Sequence, residues 1–149
     1  MFSPTSPAGA RHAVRLVADA NVLLSAAIGG RAKLIVEHPR VREVLTTEFT
    51  LAEVHEYAGV LARKKRLATD IVLLAVAALP VHVLRRESYQ GRISEAAKRI
   101  GSRDPDDVEL LALALHLELP IWSNDKDFER AGVELFTTED LLRDLHIIE

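Results

Sequence analysis

The sequence predicts an α/β fold built on a mainly parallel sheet, and two observations support this. Short apolar runs of strand length alternate along the chain with longer stretches in which apolar residues recur at helical spacing. Such a chain places its strands in one sheet and covers both faces of that sheet with helices. In addition, acidic residues stand just after these runs or at the start of the next helix, and these places meet at one edge of a parallel sheet. We therefore expect four to five strands, with a candidate site at their carboxyl ends.

The first half of the chain supplies three of the expected strands. The first is a short apolar run that ends at Ala18, and Pro39 ends the helical region that follows it. A later helix has an apolar face that includes Val54 and Ala58, and Thr69 or Asp70 can cap the helix after it. The expected elements are strands at 13–18, 41–47 and 81–84, and helical segments from 20 to the Gly29-Gly30 break, at 31–37, at 50–66, and from 69 or 70 to 79.

The second half of the chain continues the alternation. We expect an amphipathic helix at 87–100 that Gly101 ends. The remaining expected elements are a helix at 105–117, strands at 121–123 and 133–136, and a closing helix at 138–145. Residues 1–12 include two prolines and two serines and are expected to form a loose tail, which leaves 13–149 as a single domain.

Composition excludes several classes of protein. The chain of 149 residues is 48% hydrophobic, so it is expected to be globular, and its net charge of −3 gives no global basic field. It contains no cysteine, which excludes disulfides and thiolate metal sites and agrees with a cytoplasmic location. No signal peptide is expected, and the most apolar stretch, 71–84, is too short to span a bilayer.

Each acidic position has a structural explanation as well as a functional one. Thr50 and Glu53 match a capping box, and Asp104 can cap the helix that Pro105 begins. In the same way, Ser123 and Asn124 could cap a short turn that carries Asp125 and Asp127. Asp19 differs from these residues, because it follows a buried strand at a place with no obvious need for a cap.

The acids are more informative together than singly. Helices that follow parallel strands begin at the carboxyl edge, so these acids are expected to face one crevice. Several carboxylates in one crevice repel each other unless a cation lies among them. Oxygen ligands of this kind suit Mg²⁺ or Mn²⁺.

Four segments of the chain resemble the motifs of PIN domains. Residues 17–25, VADANVLLS, are similar to the first motif, in which an aspartate and an asparagine follow a strand. Glu53 lies where the family has its second acid, and Asp107 before an apolar helix resembles the third motif. Residues 121–128, IWSNDKDF, resemble the last motif. The motifs occur in the family's order and cover the chain from about residue 14 to residue 145.

This resemblance implies a three-layer α/β/α sandwich and a metal-dependent endoribonuclease. It implies one or two Mg²⁺ or Mn²⁺ ions, an RNA phosphodiester as substrate, and no membrane partner. Many relatives are VapC-type toxins, each silenced by an antitoxin, and homodimers are common among them. The resemblance assigns Asp19, Glu53, Asp107 and Asp125 as the catalytic metal ligands, Asp127 as a further metal-binding acid, and Asn21, Ser123 and Asp104 as supporting residues.

Some alternatives remain open from the sequence. Glu56 lies one helical turn after Glu53 and could replace it as the second acid. The main rival function is a non-catalytic PIN-like module that binds RNA or acts as a scaffold, although the presence of all four acids argues against it. Basic residues that flank the predicted crevice are candidates for phosphate contacts: Arg85, Arg86, Arg92, Lys98, Arg99 and Arg103.

Overall fold

The sheet of this protein has five strands, all parallel. The computed structural model describes residues 13–100 and 105–148. The strands are β1 (Val14–Ala18), β2 (Val41–Thr47), β3 (Val81–Leu84), β4 (Ile121–Trp122) and β5 (Leu135–Phe136). Their order in the sheet is β3-β2-β1-β4-β5, so β1 lies at the centre, between β2 and β4. The predicted α/β fold with a parallel sheet is confirmed.

Helices cover both faces of this sheet. They are α1 (Ala20–Ala27), α2 (Arg31–Val36), α3 (Glu48–Lys64), α4 (Thr69–Ala77), α5 (Ile93–Ile100), α6 (Pro105–Leu117) and α7 (Thr138–Asp144), with 3₁₀ turns η1 (Arg86–Ser88), η2 (Gln90–Arg92) and η3 (Lys126–Ala131). Leu16 packs in a core with α1–α4 and α7, whereas the next residue, Val17, packs in a second core with α5, α6 and η3. Because successive side chains of a strand point to opposite faces, these two cores lie on the two sides of the sheet. The three-layer α/β/α sandwich is therefore confirmed.

Two predicted helix caps in the first half of the chain were wrong. The helix expected to begin at Thr50 begins at Glu48, and the Thr47 hydroxyl oxygen accepts its capping hydrogen bond from the Thr50 N–H at 2.9 Å. Glu53 therefore lies beyond the first turn of α3 and is not part of a capping box. The helix α4 begins at Thr69 after Ala68, and no side chain caps it.

The helix expected at 87–100 forms only from Ile93 onward. The residues before it make the turns η1 and η2, which meet at Tyr89. Tyr89 has φ −128° and ψ 8° and is 1% exposed. Burial of this ring, with its hydroxyl bonded to Glu109, has displaced the regular helix that the local pattern indicated.

Some expectations lie outside the described residues. The tail at 1–12, the stop at Gly101 and the acid Asp104 are among them. Within 13–100 and 105–148, no helix combines the length and the apolar character that a membrane span requires.

Candidate metal centre at the carboxyl edge of the sheet

Asp19 and Ser123 lie side by side at the carboxyl ends of the two central strands. Asp19 directly follows β1, and Ser123 directly follows β4. One carboxylate oxygen of Asp19 accepts a hydrogen bond from the Val22 N–H at 3.1 Å and so caps α1. The other oxygen accepts a hydrogen bond from the Ser123 hydroxyl. Asp19 therefore both caps a helix and joins the ends of two strands.

A series of short hydrogen bonds fixes the segment after β4. The Ser123 hydroxyl oxygen accepts from the Asp125 N–H at 2.9 Å, and the Asp125 carboxylate accepts from the Asp127 N–H at 2.9 Å. Asp125 is thus the N-cap of η3, in place of the Ser123 or Asn124 cap that the sequence suggested. Asn124 accepts instead from the Thr138 N–H at 2.8 Å, which ties the segment to the start of α7.

Three carboxylates converge beside this segment. Asp107, in the first turn of α6, and Asp125 and Asp127 each place one oxygen within 4.8 Å of the other two. Around Mg²⁺, with a metal–oxygen distance of about 2.1 Å, neighbouring oxygens are about 3 Å apart and opposite oxygens about 4.2 Å apart. Three ligands of one ion include at least two neighbouring pairs, so these spacings would have to close by up to about 2 Å, and carboxylates are the ligands that hard divalent cations prefer. The donor set therefore fits Mg²⁺ or Mn²⁺.

Asp19 is electrostatically coupled to one of these carboxylates, that of Asp125. Burial raises the pKa of Asp19 above its ordinary value, and the negative charge of Asp125 raises it further. Hydrogen bonds from Ser123 and from the backbone of Val22 and Asn21 act in the opposite direction, because they stabilise the carboxylate. In the absence of a cation, the ionised form of Asp19 is therefore disfavoured by its surroundings.

The other predicted residues are placed less closely around the three carboxylates. Glu53 is half-buried on α3, which packs against α6, and it is not a member of the three-carboxylate group. Glu56 is exposed one turn further along α3, and the Asn21 side chain is exposed on α1. Asp104 lies outside the described residues. The assignment of ligands to individual residues remains a prediction.

We did not predict from the sequence a buried polar cluster around Glu109. The Tyr89 hydroxyl donates to a Glu109 carboxylate oxygen at 2.7 Å, and Arg86 Nε lies 3.6 Å from the other oxygen of Glu109. Thr47, at the end of β2, hydrogen-bonds the Tyr89 side chain as well. The available signal was Glu109 itself, a charged residue beside the apolar run 110–115, since a buried charge requires partners.

A cleft of 550 Å³ opens beside the acids. The described residues that line it are Lys98, Arg99, Ile100, Asp107, Lys126, Asp127, Glu129 and Arg130. Basic side chains from α5 and η3 thus share one cavity with two of the three converging carboxylates.

Comparison with known proteins identifies the family. The family model for the PIN domain matches residues 17–146. The fold is similar to that of PAE2754 from Pyrobaculum aerophilum, with TM-score 0.68 and 16% identity over 92% of this chain and 98% of that chain. It is also similar to VapBC2 from Rickettsia felis bound to a DNA fragment from their promoter, with TM-score 0.56 and 12% identity over 83% of this chain and 98% of that chain. No curated protein sequence matches this chain. Since the family model covers most of the sequence, the chain belongs to the PIN domain family.

Proposed function

We propose that this protein is a divalent-metal-dependent endoribonuclease that hydrolyses RNA phosphodiester bonds in the cytoplasm. The observation that carries the proposal is the convergence of Asp107, Asp125 and Asp127 next to Asp19, at the carboxyl edge of the sheet. Neighbouring carboxylates repel each other, and a cation bound among them would relieve that repulsion. Membership in the PIN domain family supports nuclease chemistry for this site.

The residues of the site divide into ligands and residues that position them. Asp19, Asp107, Asp125 and Asp127 would hold Mg²⁺ or Mn²⁺, and Glu53 would complete the set through water or after a small movement of α3. When bound, the metal supplies positive charge that polarises the phosphodiester and stabilises the charge that develops on it.

Ser123 holds two of these acids in place. It donates to Asp19 and accepts from the Asp125 N–H, so one hydroxyl sets the position of both residues. Asn21 is exposed two residues after Asp19, where its amide can hydrogen-bond a phosphate oxygen.

We further propose that the protein is the toxin of a type II toxin–antitoxin pair, with an antitoxin as its protein partner. Large apolar side chains are exposed on α3, on α4 and between them: Tyr57, Val60, Leu67, Ile71 and Leu74. Exposed apolar groups of this size favour a protein partner. The product of a neighbouring open reading frame should abolish cleavage when added in equal amount. If instead only a second copy of this chain covers the surface, the purified protein will be a dimer and the antitoxin proposal fails.

The test of the enzyme is cleavage of RNA by purified protein with Mn²⁺ or Mg²⁺ and with chelator. Asp19→Asn and Asp107→Asn should each lower the rate by at least about 100-fold, because an amide cannot supply the negative charge that holds the cation. Both variants should fold, since asparagine has nearly the shape of aspartate and is about as good an N-cap at position 19. Glu53→Gln should also slow cleavage, whereas Glu56→Gln, one turn away and exposed, serves as its matched control.

The rival function, a non-catalytic RNA-binding or scaffold module, gives a different result. It predicts RNA binding without cleavage under every metal condition. Cleavage that persists with chelator and in both aspartate variants would show that the activity comes from another source, and the enzyme proposal would fail.

A further inference from the structure

We propose that Lys98, Lys126 and Arg130 form a phosphate-binding wall in the cleft beside the acids, and that this wall binds an RNA phosphate next to the one that is cleaved. The inference rests on the proposed function and adds a property of the substrate. A substrate that reaches both the acids and the wall must carry more than one phosphate, so it is a polynucleotide chain and not a mononucleotide.

The cleft is lined by both acidic and basic side chains, and their charges act on RNA in opposite directions. Asp107, Asp127 and Glu129 line it, and these acids repel a polyanion such as RNA. The cations that line the same cavity are therefore needed for the substrate to approach. Once phosphates replace bulk counterions on such cations, counterion release favours binding.

The side chains of these three cations are available to bind phosphate. Among the ion pairs of residues 13–100 and 105–148, none involves Lys98, Lys126 or Arg130, and all three side chains are exposed. Other basic residues that the sequence suggested for phosphate contacts are already paired with acids. The pairs are Arg85 with Glu87 at 3.7 Å, Arg86 with Glu109 at 3.6 Å, Arg92 with Glu95 at 2.8 Å, and Arg99 with Glu95 at 2.6 Å.

The two elements that carry the wall, α5 and η3, are joined by Arg99. Arg99 binds Glu95 on its own helix and also donates to the Ala131 carbonyl at 3.0 Å, so its guanidinium fastens α5 to the end of η3. Gly132 leaves room for this contact, since a Cβ there would lie 2.9 Å from Arg99 Nη1, and its φ of 76° also favours glycine. This contact fixes the position of α5, which carries Lys98, relative to η3, which carries Lys126 and Arg130.

The test measures binding of fluorescent single-stranded RNA oligomers by anisotropy, in chelator and over a range of salt concentrations. The variants are Lys98→Gln, Lys126→Gln and Arg130→Gln, with Lys64→Gln and Lys65→Gln as matched controls. The controls lie at the far end of α3, a helix of 17 residues that starts at the carboxyl edge of the sheet. Measured along the helix axis, that end is about 25 Å from the carboxyl edge of the sheet.

Each wall variant should weaken binding by about 3- to 10-fold for every RNA sequence. The salt slope, which is the steepness with which log affinity falls with log salt concentration, should decrease by about 0.7 to 1. The controls should bind like wild type. In cleavage assays, the wall variants should raise KM for oligomers with little change in kcat. Their thermal shift with Mn²⁺ should equal that of wild type, because the carboxylates are intact.

The outcomes separate the wall from the nuclease. If the wall variants bind RNA with wild-type affinity and salt slope, or if wild type binds no RNA in chelator, the wall does not exist, even if the protein cleaves RNA. If binding depends on the wall but no metal condition gives cleavage, the wall stands and the proposed nuclease function fails.

Discussion

Asp107 and Glu109 are two residues apart on α6, and their surroundings are opposite. Asp107 has two other carboxylate oxygens within 4.8 Å of its own. Glu109 is buried and receives a hydrogen bond from Tyr89 at 2.7 Å, with the guanidinium of Arg86 3.6 Å from its other oxygen. One carboxylate is thus placed among like charges, and the other is supplied with a donor and a cation.

The difference follows from helix geometry. Two residues along a helix turn the side chain by about 200°, so these two acids point in nearly opposite directions. Glu109 faces the end of β2 and Tyr89, in the layer between helix and sheet. Its charge is compensated there, and burial together with the neighbouring Glu109 raises the pKa of the Tyr89 hydroxyl far above its ordinary value.

The comparison separates an acid that stabilises the fold from an acid that is arranged for a ligand. A compensated buried acid stabilises the native state once its partners are present, and removal of a partner exposes the cost of burial. Neighbouring acids repel each other, and a cation that binds among them relieves this repulsion. Stability measurements with and without metal can therefore distinguish the two without any assay of activity.

The largest expected effect is on stabilisation by metal. At a Mn²⁺ concentration of 100 times Kd, wild type should gain about 2.7 kcal/mol, which corresponds to an increase in Tm of about 5–10 °C for a domain of this size. Asp107→Asn should lose most of this shift. Glu109→Gln should have a lower Tm without metal and should keep the full shift. Thermal unfolding with Mn²⁺ and with chelator measures this shift in Tm. If both variants lose the shift equally, the two acids do not differ in their role.

A smaller effect is expected from the partner of Glu109. Tyr89→Phe keeps the buried ring and removes the hydroxyl, so it should lower the free energy of unfolding by about 1.5–3 kcal/mol, the usual range for a hydrogen bond to a charged group. Urea denaturation in chelator measures this. The Mn²⁺ shift and the cleavage rate of folded protein should stay unchanged. A loss below about 0.5 kcal/mol would show that Glu109 does not depend on this donor.

The fold was predictable because its signals are local and repeated. The bounds of β2 and β3 and of the helix at 105–117 agree with those expected from apolar runs and from Pro105. The same local reasoning failed at Tyr89, where helical periodicity continued but the ring is buried against α6, and at Thr50, where Thr47 caps the helix in its place. At Tyr89 a contact with α6 decided the conformation, whereas at Thr50 another threonine, three residues earlier, provided the cap.

The candidate site was predictable in part for a related reason. Strand ends placed Asp19 and Asp125 at one edge, and the parallel topology brings Asp107 to the same edge. The series from Asp19 through Ser123 to Asp127 could not be predicted, because it starts from a side-chain hydrogen bond between Asp19 and Ser123, which are 104 residues apart in sequence. The pairing of Tyr89 with Glu109 was missed because neither residue belongs to a motif.

Two aspartates accept backbone hydrogen bonds at the starts of helices, and their pKa values are shifted in opposite directions. Asp19, at the start of α1, has a raised pKa because it is buried, whereas Asp140, at the start of α7, has a lowered pKa because the Thr137 backbone and hydroxyl stabilise its charge. The ordinary value for both is 3.8. Above its folded pKa, ionised Asp19 therefore reduces stability, and this penalty disappears as the pH falls below 3.8. Ionised Asp140 contributes stability above 3.8 and loses it as the pH falls through its lower folded pKa.

In chelator at pH 7, Asp19→Asn should consequently be more stable than wild type, and Asp140→Asn should be less stable. Both differences should shrink as the pH is lowered, since the wild-type carboxylates become neutral like the amides that replace them. Urea denaturation at several pH values measures both variants, and Asp140→Asn controls for the general effect of removing one negative charge. With saturating Mn²⁺, Asp19→Asn should instead be less stable than wild type, because wild type then binds the cation that the Asp19 carboxylate helps to hold. A variant at position 19 that is less stable than wild type in chelator would mean that the charge of Asp19 is compensated by the protein itself, as that of Glu109 is, and that the arrangement around Asp19 serves the fold and not a metal.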